Sequence, residues 1–257
     1  MMSRLDAARK SAVSLFGEIL ELAFPSDIYC ICCGKPITPD RLYSICDDCI
    51  RTVHWANGRT CAKCGKILQD WHRSELCLDC ARIRHEFLRG FSCVQYNEIE
   101  RRLVHGLKYE KKRYLARKIA AIMADRLMAE DAAPDMIVPV PMFKAKERKR
   151  GYNQAALIAG ALSGLTGIRL SKNVLCRIRD TEPMNSLSPG ERRRNMESAF
   201  AVPSKHAPSI RGRAVLLVDD VYTTGSTADA CAAALRDSGA SIVLVLAFAA
   251  GPNEVYK

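Results

Sequence analysis

The sequence lacks any apolar run that approaches the roughly 20 residues needed to cross a bilayer. Its beginning is rich in apolar residues, but Glu18 and Glu21 interrupt them and no small-x-small cleavage site follows, which argues against a secretory signal. We therefore expect residues 1–24 to form an amphipathic helix that stops before Pro25, and the protein to be cytoplasmic. Thiols stay reduced in that compartment, so clustered cysteines predict bound metal rather than disulfides.

Acidic residues are also scarce, since 28 Asp and Glu stand against 39 Lys and Arg, for a net charge of +11. This excess favours an anionic partner, such as a nucleotide, a phosphate or a nucleic acid, over a cationic one. A length of 257 residues with 48% hydrophobic content is typical of a globular protein with one sizeable core and a smaller module.

Cysteine, by contrast, is abundant and periodic. Eight of the twelve cysteines form four Cys-x-x-Cys pairs, namely Cys30 with Cys33, Cys46 with Cys49, Cys61 with Cys64, and Cys77 with Cys80. A shift of 31 positions carries the first two pairs onto the last two, and it also carries Asp48 onto Asp79. This periodicity indicates an internal duplication.

The spacing of the pairs is typical of structural zinc sites. Two Cys-x-x-Cys turns that are twelve residues apart supply four thiolates, which close a tetrahedral zinc site and leave no open coordination position. The duplication favours two consecutive sites, although a cross-braced pairing of first with third and second with fourth stays open. Disulfides or an iron–sulfur cluster would not account for the duplication. We expect the nearby His54, His72 and His85 to be ordinary surface residues.

From about residue 89 the pattern changes to alternating strand-like and helix-like segments. Segments such as residues 214–221 and 241–250 are apolar almost throughout, and helical stretches of ten or more residues, such as 98–109 and 115–129, separate the strands. This alternation predicts an α/β fold, a Rossmann-like parallel sheet covered on both faces. The expected domains are the helix at 1–24, a double zinc ribbon at 25–88 and the sheet domain at 89–257.

The stretch "VLLVDDVYTTGST", residues 215–227, predicts a binding site at the end of one strand. Ligands of such sheets bind beyond the carboxyl ends of the strands, where a loop that turns into a helix presents free amides to an anion. Gly225 allows close approach of the backbone, and the neighbouring hydroxyls add donors. Asp219 and Asp220 would repel a phosphate but suit sugar hydroxyls or a metal ion. A sugar phosphate fits both the aspartates and the loop that follows them. The alternative is that the aspartates only cap the helix and the threonines only form a turn.

At these residues the chain resembles the type I phosphoribosyltransferases, and more closely one branch, the ComF competence family. The blocks "LVHGLKY", "VPVPMFKAKERKRGYNQAALIA", "RIRDTEPMNSLSPGERRRNMESAF" and "LLVDDVYTTGST" resemble successive blocks of that family in order. The cysteine-rich module resembles its double zinc ribbon. The resemblance covers residues from about 25 to 250.

The resemblance implies a phosphoribosyltransferase-like sheet that binds phosphoribosyl pyrophosphate with Mg²⁺. Asp219 and Asp220 would contact the ribose hydroxyls and, if chemistry occurs, stabilise positive charge on the ribose. Residues 177–195 would form a mobile flap, in which Met184 stands where the family usually has Gln. The residues expected to hold the 5′-phosphate are Thr223, Thr224, Gly225, Ser226 and Thr227. The segment after "VPVP" would correspond to the pyrophosphate loop, and the residues expected at the pyrophosphate are Lys144, Lys146, Arg148, Lys149 and Arg150.

A second basic region lies between residues 101 and 118, with eight basic residues against one acid. It could follow a nucleic-acid backbone, with Tyr109, Tyr114 and Tyr152 available for base stacking, or it could be a solvated helix face. The candidate nucleic-acid contacts are Arg101, Arg102, Lys108, Lys111, Lys112 and Arg113.

Two alternative functions are therefore considered, and the first is preferred. The first is a ComF-like protein that binds phosphoribosyl pyrophosphate and Mg²⁺ and acts in competence and DNA uptake, with single-stranded DNA and DNA-uptake proteins as partners. The second is an active phosphoribosyltransferase that transfers to an unknown nitrogen acceptor. A regulator of transcription fits less well, because no helix-turn-helix is evident in the sequence.

Overall fold

The computed structural model describes residues 28–179 and 199–252. The chain divides into two compact units between Thr52 and Val53. The first unit holds the first half of the cysteine repeat, and the second holds the other half together with the sheet. The expected N-terminal helix, Met184 and most of the expected flap lie outside the described residues. The domain limits expected from the sequence stay predictions.

The described part of the first unit is a small cysteine-rich fold. Its chain reverses at Gly34, where an isolated bridge pairs Tyr29 with Pro36. A 3-10 turn at Leu42–Ser44 and the helix α1 at Asp47–Thr52 follow.

The second unit contains all the remaining elements. Its strands are β1 (Arg89–Gln95), β2 (Met136–Pro139), β3 (Arg169–Leu170), β4 (Cys176–Arg177), β5 (Phe200–Ala201), β6 (Ala214–Tyr222) and β7 (Ile242–Ala250). Its helices are α2 (Leu78–Arg82), α3 (Glu98–Tyr109), α4 (Leu115–Ala129), α5 (Lys144–Arg150), α6 (Gln154–Thr166), α7 (Ala207–Ile210) and α8 (Ser226–Asp237), with a 3-10 turn at Ser204–His206.

Five strands form one parallel sheet in the order β1-β7-β6-β2-β3. Residues 215–218 of β6 are fully buried, as are most residues of β7, which requires cover on both faces. The predicted parallel α/β sheet is thereby confirmed. Strands β4 and β5 form a separate antiparallel pair. Within the described ranges, no helix is both long and apolar enough to cross a membrane.

The carboxyl ends of β2 and β6 lie side by side, because Pro139 pairs with Val218 in the sheet and the Val140 amide donates to the Val218 carbonyl at 2.9 Å. Asn153 caps α6 and donates from its side chain to the Val140 carbonyl at 2.9 Å. This bond holds the start of α6 against the end of β2, so the loops after β2 and β6 share one edge of the sheet.

The second half of the cysteine repeat packs into the main core. Its four cysteines, Leu68 and Phe87 belong to one cluster with residues of β2, β6, β7 and α8. At Gly65 the backbone lies so close to β1 that a Cβ would meet the Phe91 Cα at 2.7 Å and the Ser92 nitrogen at 2.8 Å. The Gly90 amide also donates to the Lys63 carbonyl at 2.7 Å. The second ribbon is therefore an integral part of the sheet unit.

The duplication provides a matched test of this packing. Gly34 and Gly65 have the same left-handed backbone, with φ of 75° and 76°, but a Cβ on Gly34 would meet nothing within 4 Å. Alanine costs about 1–2 kcal/mol in such a conformation at either position. At Gly65 a backbone clash adds about 1–3 kcal/mol. We expect Gly65→Ala to lower the main thermal transition by about 5–10 °C and Gly34→Ala to leave that transition nearly unchanged, as measured by differential scanning calorimetry.

Equal shifts for the two variants would show that the contact with β1 does not contribute to stability. Bound zinc should be measured in both proteins, since retention of two ions in each separates the packing effect from loss of metal.

Candidate ligand pocket and zinc sites

Eight cysteines form two groups of four, each with all four sulfurs within 4.8 Å of one another. The groups are consecutive, as the duplication predicted, and not cross-braced. The sulfurs of Cys33 and Cys46 lie 3.7 Å apart, as do those of Cys64 and Cys77. Zn–S bonds of about 2.3 Å in a tetrahedron place sulfurs about 3.8 Å apart, so the thiols fit zinc. The structure thus has two zinc-binding sites, each made of four cysteines.

The two sites have the same backbone arrangement but differ in how deeply their cysteines are buried. The Cys46 amide donates to the Cys30 sulfur at 3.3 Å, and 31 residues later the Cys77 amide donates to the Cys61 sulfur at 3.2 Å. All four cysteines of the second site are buried, whereas Cys33 in the first site is exposed. Zinc in the second site would therefore be much better shielded from solvent.

The candidate ligand loop joins β6 to α8 at the carboxyl edge of the sheet. Gly225 has a φ of 84° and caps a helix of twelve residues that begins at Ser226. A small cleft is lined by Asp219, Val140 and the loop residues Thr223, Thr224, Gly225 and Thr227. Thr224 and Ser226 are buried, and their hydroxyl oxygens lie 3.0 Å apart. An acidic residue, loop hydroxyls and a helix N-terminus therefore meet at one place, as the sequence predicted for a sugar phosphate.

The acidic pair carries its own counter-ion. The Lys108 ammonium lies 2.7 Å from Oδ2 of Asp220, and both side chains are largely buried. Removal from water raises the pKa of Asp219 well above its ordinary value, the charge of Asp220 raises it further, and the charge of Lys108 opposes both. Burial lowers the pKa of Lys108, but the charges of Asp220 and Asp219 outweigh it, so the net shift is upward. Lys108 therefore stays charged beside the two aspartates.

This pairing places Lys108 differently from the sequence analysis, which grouped it with the candidate nucleic-acid residues. Lys108 reaches Asp220 because it lies next to the buried residues Leu103, Val104 and Leu107 of α3. The other five candidates, Arg101, Arg102, Lys111, Lys112 and Arg113, are exposed. Tyr109 and Tyr114 are exposed beside them, whereas Tyr152 is buried and lies under the Arg113 guanidinium at 5.1 Å.

The five basic residues expected in the pyrophosphate loop lie on the helix α5. Lysine, arginine, alanine and glutamate are all good helix formers, and Gly151 ends the helix in a left-handed conformation. Lys144 lines a cleft at the end of β2, together with Lys172 and Arg177. Lys146, Arg148 and Lys149 are exposed, and Arg150 donates to the Gln154 side chain at 2.7 Å and stacks on Tyr109.

Two histidines depart from the expectation that they lie on the surface. His72 and His85 are both buried. The Nδ1 atom of His85 lies 2.9 and 3.1 Å from the two carboxylate oxygens of Asp229, in the first turn of α8. The His85 ring also borders Gly225, where a Cβ would approach Cε1 at 2.9 Å. No motif in the sequence marks His85, because its partner is 144 residues away.

Comparison with known proteins identifies several relatives of this chain. A double zinc ribbon family model matches residues 19–81. DNA utilization protein YhgH of Salmonella typhi is 31% identical over 221 residues, which cover 84% of this chain and 94% of that protein. Competence protein F of Haemophilus influenzae is 34% identical over 152 residues, 56% of this chain and 64% of that protein. Competence protein ComFC of Bacillus subtilis is 34% identical over 104 residues, 40% and 39% of the two chains.

Solved structures with some likeness include a glutamine phosphoribosylpyrophosphate amidotransferase from B. subtilis. It is 20% identical with a TM-score of 0.34, over 51% of this chain and 26% of that one. A purine phosphoribosyltransferase from Pyrococcus horikoshii is 16% identical with a TM-score of 0.31, over 55% and 89% of the two chains. Likeness at this level says nothing about substrate or activity. The identity shared with YhgH over most of both chains is the stronger finding, and it shows that this chain belongs to the ComF competence family.

Proposed function

We propose that the protein binds phosphoribosyl pyrophosphate with Mg²⁺ at the carboxyl edge of its sheet and acts in competence-linked handling of single-stranded DNA. The observation that carries the first part is the meeting of Asp219 with the loop residues Thr223, Thr224, Gly225 and Thr227 in one cleft, with Asp220 next to Asp219 at the end of β6. The second part is supported by relatives whose names refer to competence and DNA utilization.

The loop suits the terminal phosphate of the sugar. The unpaired amides in the first turn of α8 and the positive end of its dipole favour an anion, and the Thr223 and Thr227 hydroxyls line the same cleft. The carboxylates at residues 219 and 220 accept hydrogen bonds from a ribose diol. Mg²⁺ would neutralise the pyrophosphate when bound, with Lys144, which lines the cleft at the end of β2, as a second source of positive charge.

Asp219→Asn provides a test with two opposite outcomes. Because the pKa of Asp219 is raised in the folded protein, ionisation of this carboxyl lowers the free energy of unfolding. The loss of stability grows as pH rises from about 3.8, the ordinary value, to the pKa in the folded state. At pH 7.5 the amide should therefore raise the melting temperature of the ligand-free protein by about 2–4 °C. It should also weaken binding of phosphoribosyl pyrophosphate with Mg²⁺ at least about 10-fold, because the charged acceptor is worth about 1.5–3 kcal/mol. Calorimetric titration and thermal unfolding measure the two effects.

Asp131→Asn is the matched control. Asp131 is exposed with a φ of 49°, which asparagine tolerates, so the variant removes one negative charge without strain. Its affinity for the ligand should equal that of the wild type. Wild-type protein that binds no phosphoribosyl pyrophosphate in the presence of Mg²⁺ would refute the first part of the proposal.

The surface proposed for single-stranded DNA lies where α3 turns into α4. Tyr109 and Tyr114 are 64% and 54% exposed, and Arg150 stacks on Tyr109 at 5.1 Å. Exposed tyrosines among basic side chains can stack on bases while the charges hold the phosphates. Lys112 pairs with Glu110 at 2.8 Å, which positions it but leaves it exposed.

Reversal of three charges tests this surface. Lys111→Glu/Lys112→Glu/Arg113→Glu should weaken binding of a labelled oligothymidine at least about 10-fold and reduce the slope of log affinity against log salt by about 2. Fluorescence anisotropy across a salt series measures both. The control reverses the exposed Lys205, Arg211 and Arg213, which lie on another part of the unit, and should leave the slope unchanged. An affinity that does not vary with salt would contradict the proposed surface.

A further inference from the structure

The second zinc ribbon lies directly behind the candidate ligand loop, and the segment from His85 to Phe87 joins the two. His85 contacts Asp229 through Nδ1, and the Glu86 amide donates to Oδ1 of the same carboxylate at 2.9 Å. The Asp229 amide in turn donates to the Gly225 carbonyl at 2.7 Å. One carboxylate in the first turn of α8 therefore ties the loop to the segment that follows the ribbon.

Aromatic side chains make a second connection. The His85 ring stacks on Phe87 with centroids 4.9 Å apart, and Phe87 meets the Tyr222 ring edge-on at 6.2 Å. Tyr222 is the last residue of β6, directly before the loop. Its hydroxyl borders the position that a Cβ on Gly225 would take. The rings of His85 and Tyr222 thus fill the space behind Gly225.

The ribbon itself reaches this cluster through Lys66. The ammonium of Lys66 lies 2.8 Å from Asp79, between the cysteines of the second site, and 6.0 Å from the centroid of the Tyr222 ring. The corresponding pair in the first site, Lys35 with Asp48, is 3.4 Å long and largely exposed. Within the described ranges, the contact with Tyr222 is made by the lysine of the second site.

Two buried polar atoms in the cluster, Nε2 of His85 and Oη of Tyr222, have no hydrogen-bond partner in the described part of the chain. A buried polar atom without a hydrogen-bond partner lowers the stability of the fold, so its presence calls for another role of the side chain. For His85, a role in holding the backbone at Gly225 provides that reason, because its ring fills space that a side chain at residue 225 would otherwise need.

We propose that the second ribbon supports the ligand loop, with His85 as a positioning residue, so that ligand binding and retention of the second zinc are thermodynamically coupled. This inference rests on the proposed sugar-phosphate site. Linkage is reciprocal, so a ligand that binds the ordered loop more tightly must also favour the zinc-bound ribbon. The first zinc site should not respond.

The test follows zinc release from the full-length protein to a chromogenic chelator, with and without saturating ribose 5-phosphate. This probe carries the phosphate and the diol but no pyrophosphate to compete for metal. Release of one of the two zinc ions should slow at least about 3-fold, and release of the other should not change. In Cys46→Ser/Cys49→Ser, which removes only the first site, the remaining ion should still be protected.

His85 variants separate positioning from simple packing. His85→Phe keeps a ring beside Phe87 but loses the donor to Asp229, and it should remove the protection. His85→Asn, whose amide can donate to Asp229, should restore part of it. Calorimetric titration with ribose 5-phosphate is run in parallel. Absence of binding would overturn both the site and the coupling, whereas binding with unchanged release of both ions would overturn the coupling alone.

Discussion

Cys77→Ser is expected to lower the main thermal transition by more than about 10 °C and to reduce bound zinc from two ions per chain to one. Cys77 is fully buried, its sulfur lies 3.7 Å from that of Cys64, and its amide donates to the Cys61 sulfur. Structural zinc in isolated finger peptides contributes about 10–16 kcal/mol, which is comparable to the stability of a whole domain. Calorimetry and metal analysis measure the two effects.

The duplication again supplies the control. Cys46→Ser removes the corresponding ligand of the first site, which belongs to the other compact unit. It should also release one zinc ion, but the main transition should stay within about 2 °C of the wild type, because the sheet unit keeps its own zinc. If both serine variants lowered the main transition equally, the second ribbon would not be the part that stabilises the sheet unit.

Much of this fold could be predicted because local sequence and tertiary structure agree. The helices α3 and α4 begin and end where the sequence predicted, at residues 98–109 and 115–129. In α3 the Asn97 amide is capped by the Glu100 side chain at 3.2 Å, and the apolar residues fall on one face. The zinc groups were predictable for a similar reason, since the repeat itself fixes which pairs belong together.

The contacts that shape the pocket were not predictable in the same way. Lys108 stands in a run of basic residues, and only the tertiary structure decides that this one reaches Asp220, 112 positions away. His85 and Asp229 meet only because the second ribbon docks on α8. Helix α5 is a different case, because the helix-forming composition of "KAKERKR" was visible in the sequence but the resemblance suggested a loop.

Gly225→Ala is expected to weaken binding of phosphoribosyl pyrophosphate with Mg²⁺ at least about 100-fold. This factor corresponds to roughly 2.7 kcal/mol of binding free energy, the expected loss when the loop amides no longer contact the ligand. A side chain at a φ of 84° is strained by about 1–2 kcal/mol. The added Cβ would also overlap the Tyr222 hydroxyl and lie 2.9 Å from the His85 ring, and both side chains are buried. The loop must therefore move away from the position in which its amides face the cleft. Calorimetric titration measures the loss.

Tyr222→Phe distinguishes the clash from the backbone strain. The Tyr222 hydroxyl has no hydrogen-bond partner among the described residues, so its removal alone should leave affinity and stability nearly unchanged. In Gly225→Ala/Tyr222→Phe the missing oxygen gives the new methyl group room, and binding should recover about 10-fold from the single variant. No recovery would assign the whole loss to the left-handed backbone. Wild-type affinity in Gly225→Ala would show that the amides of this loop do not hold the ligand.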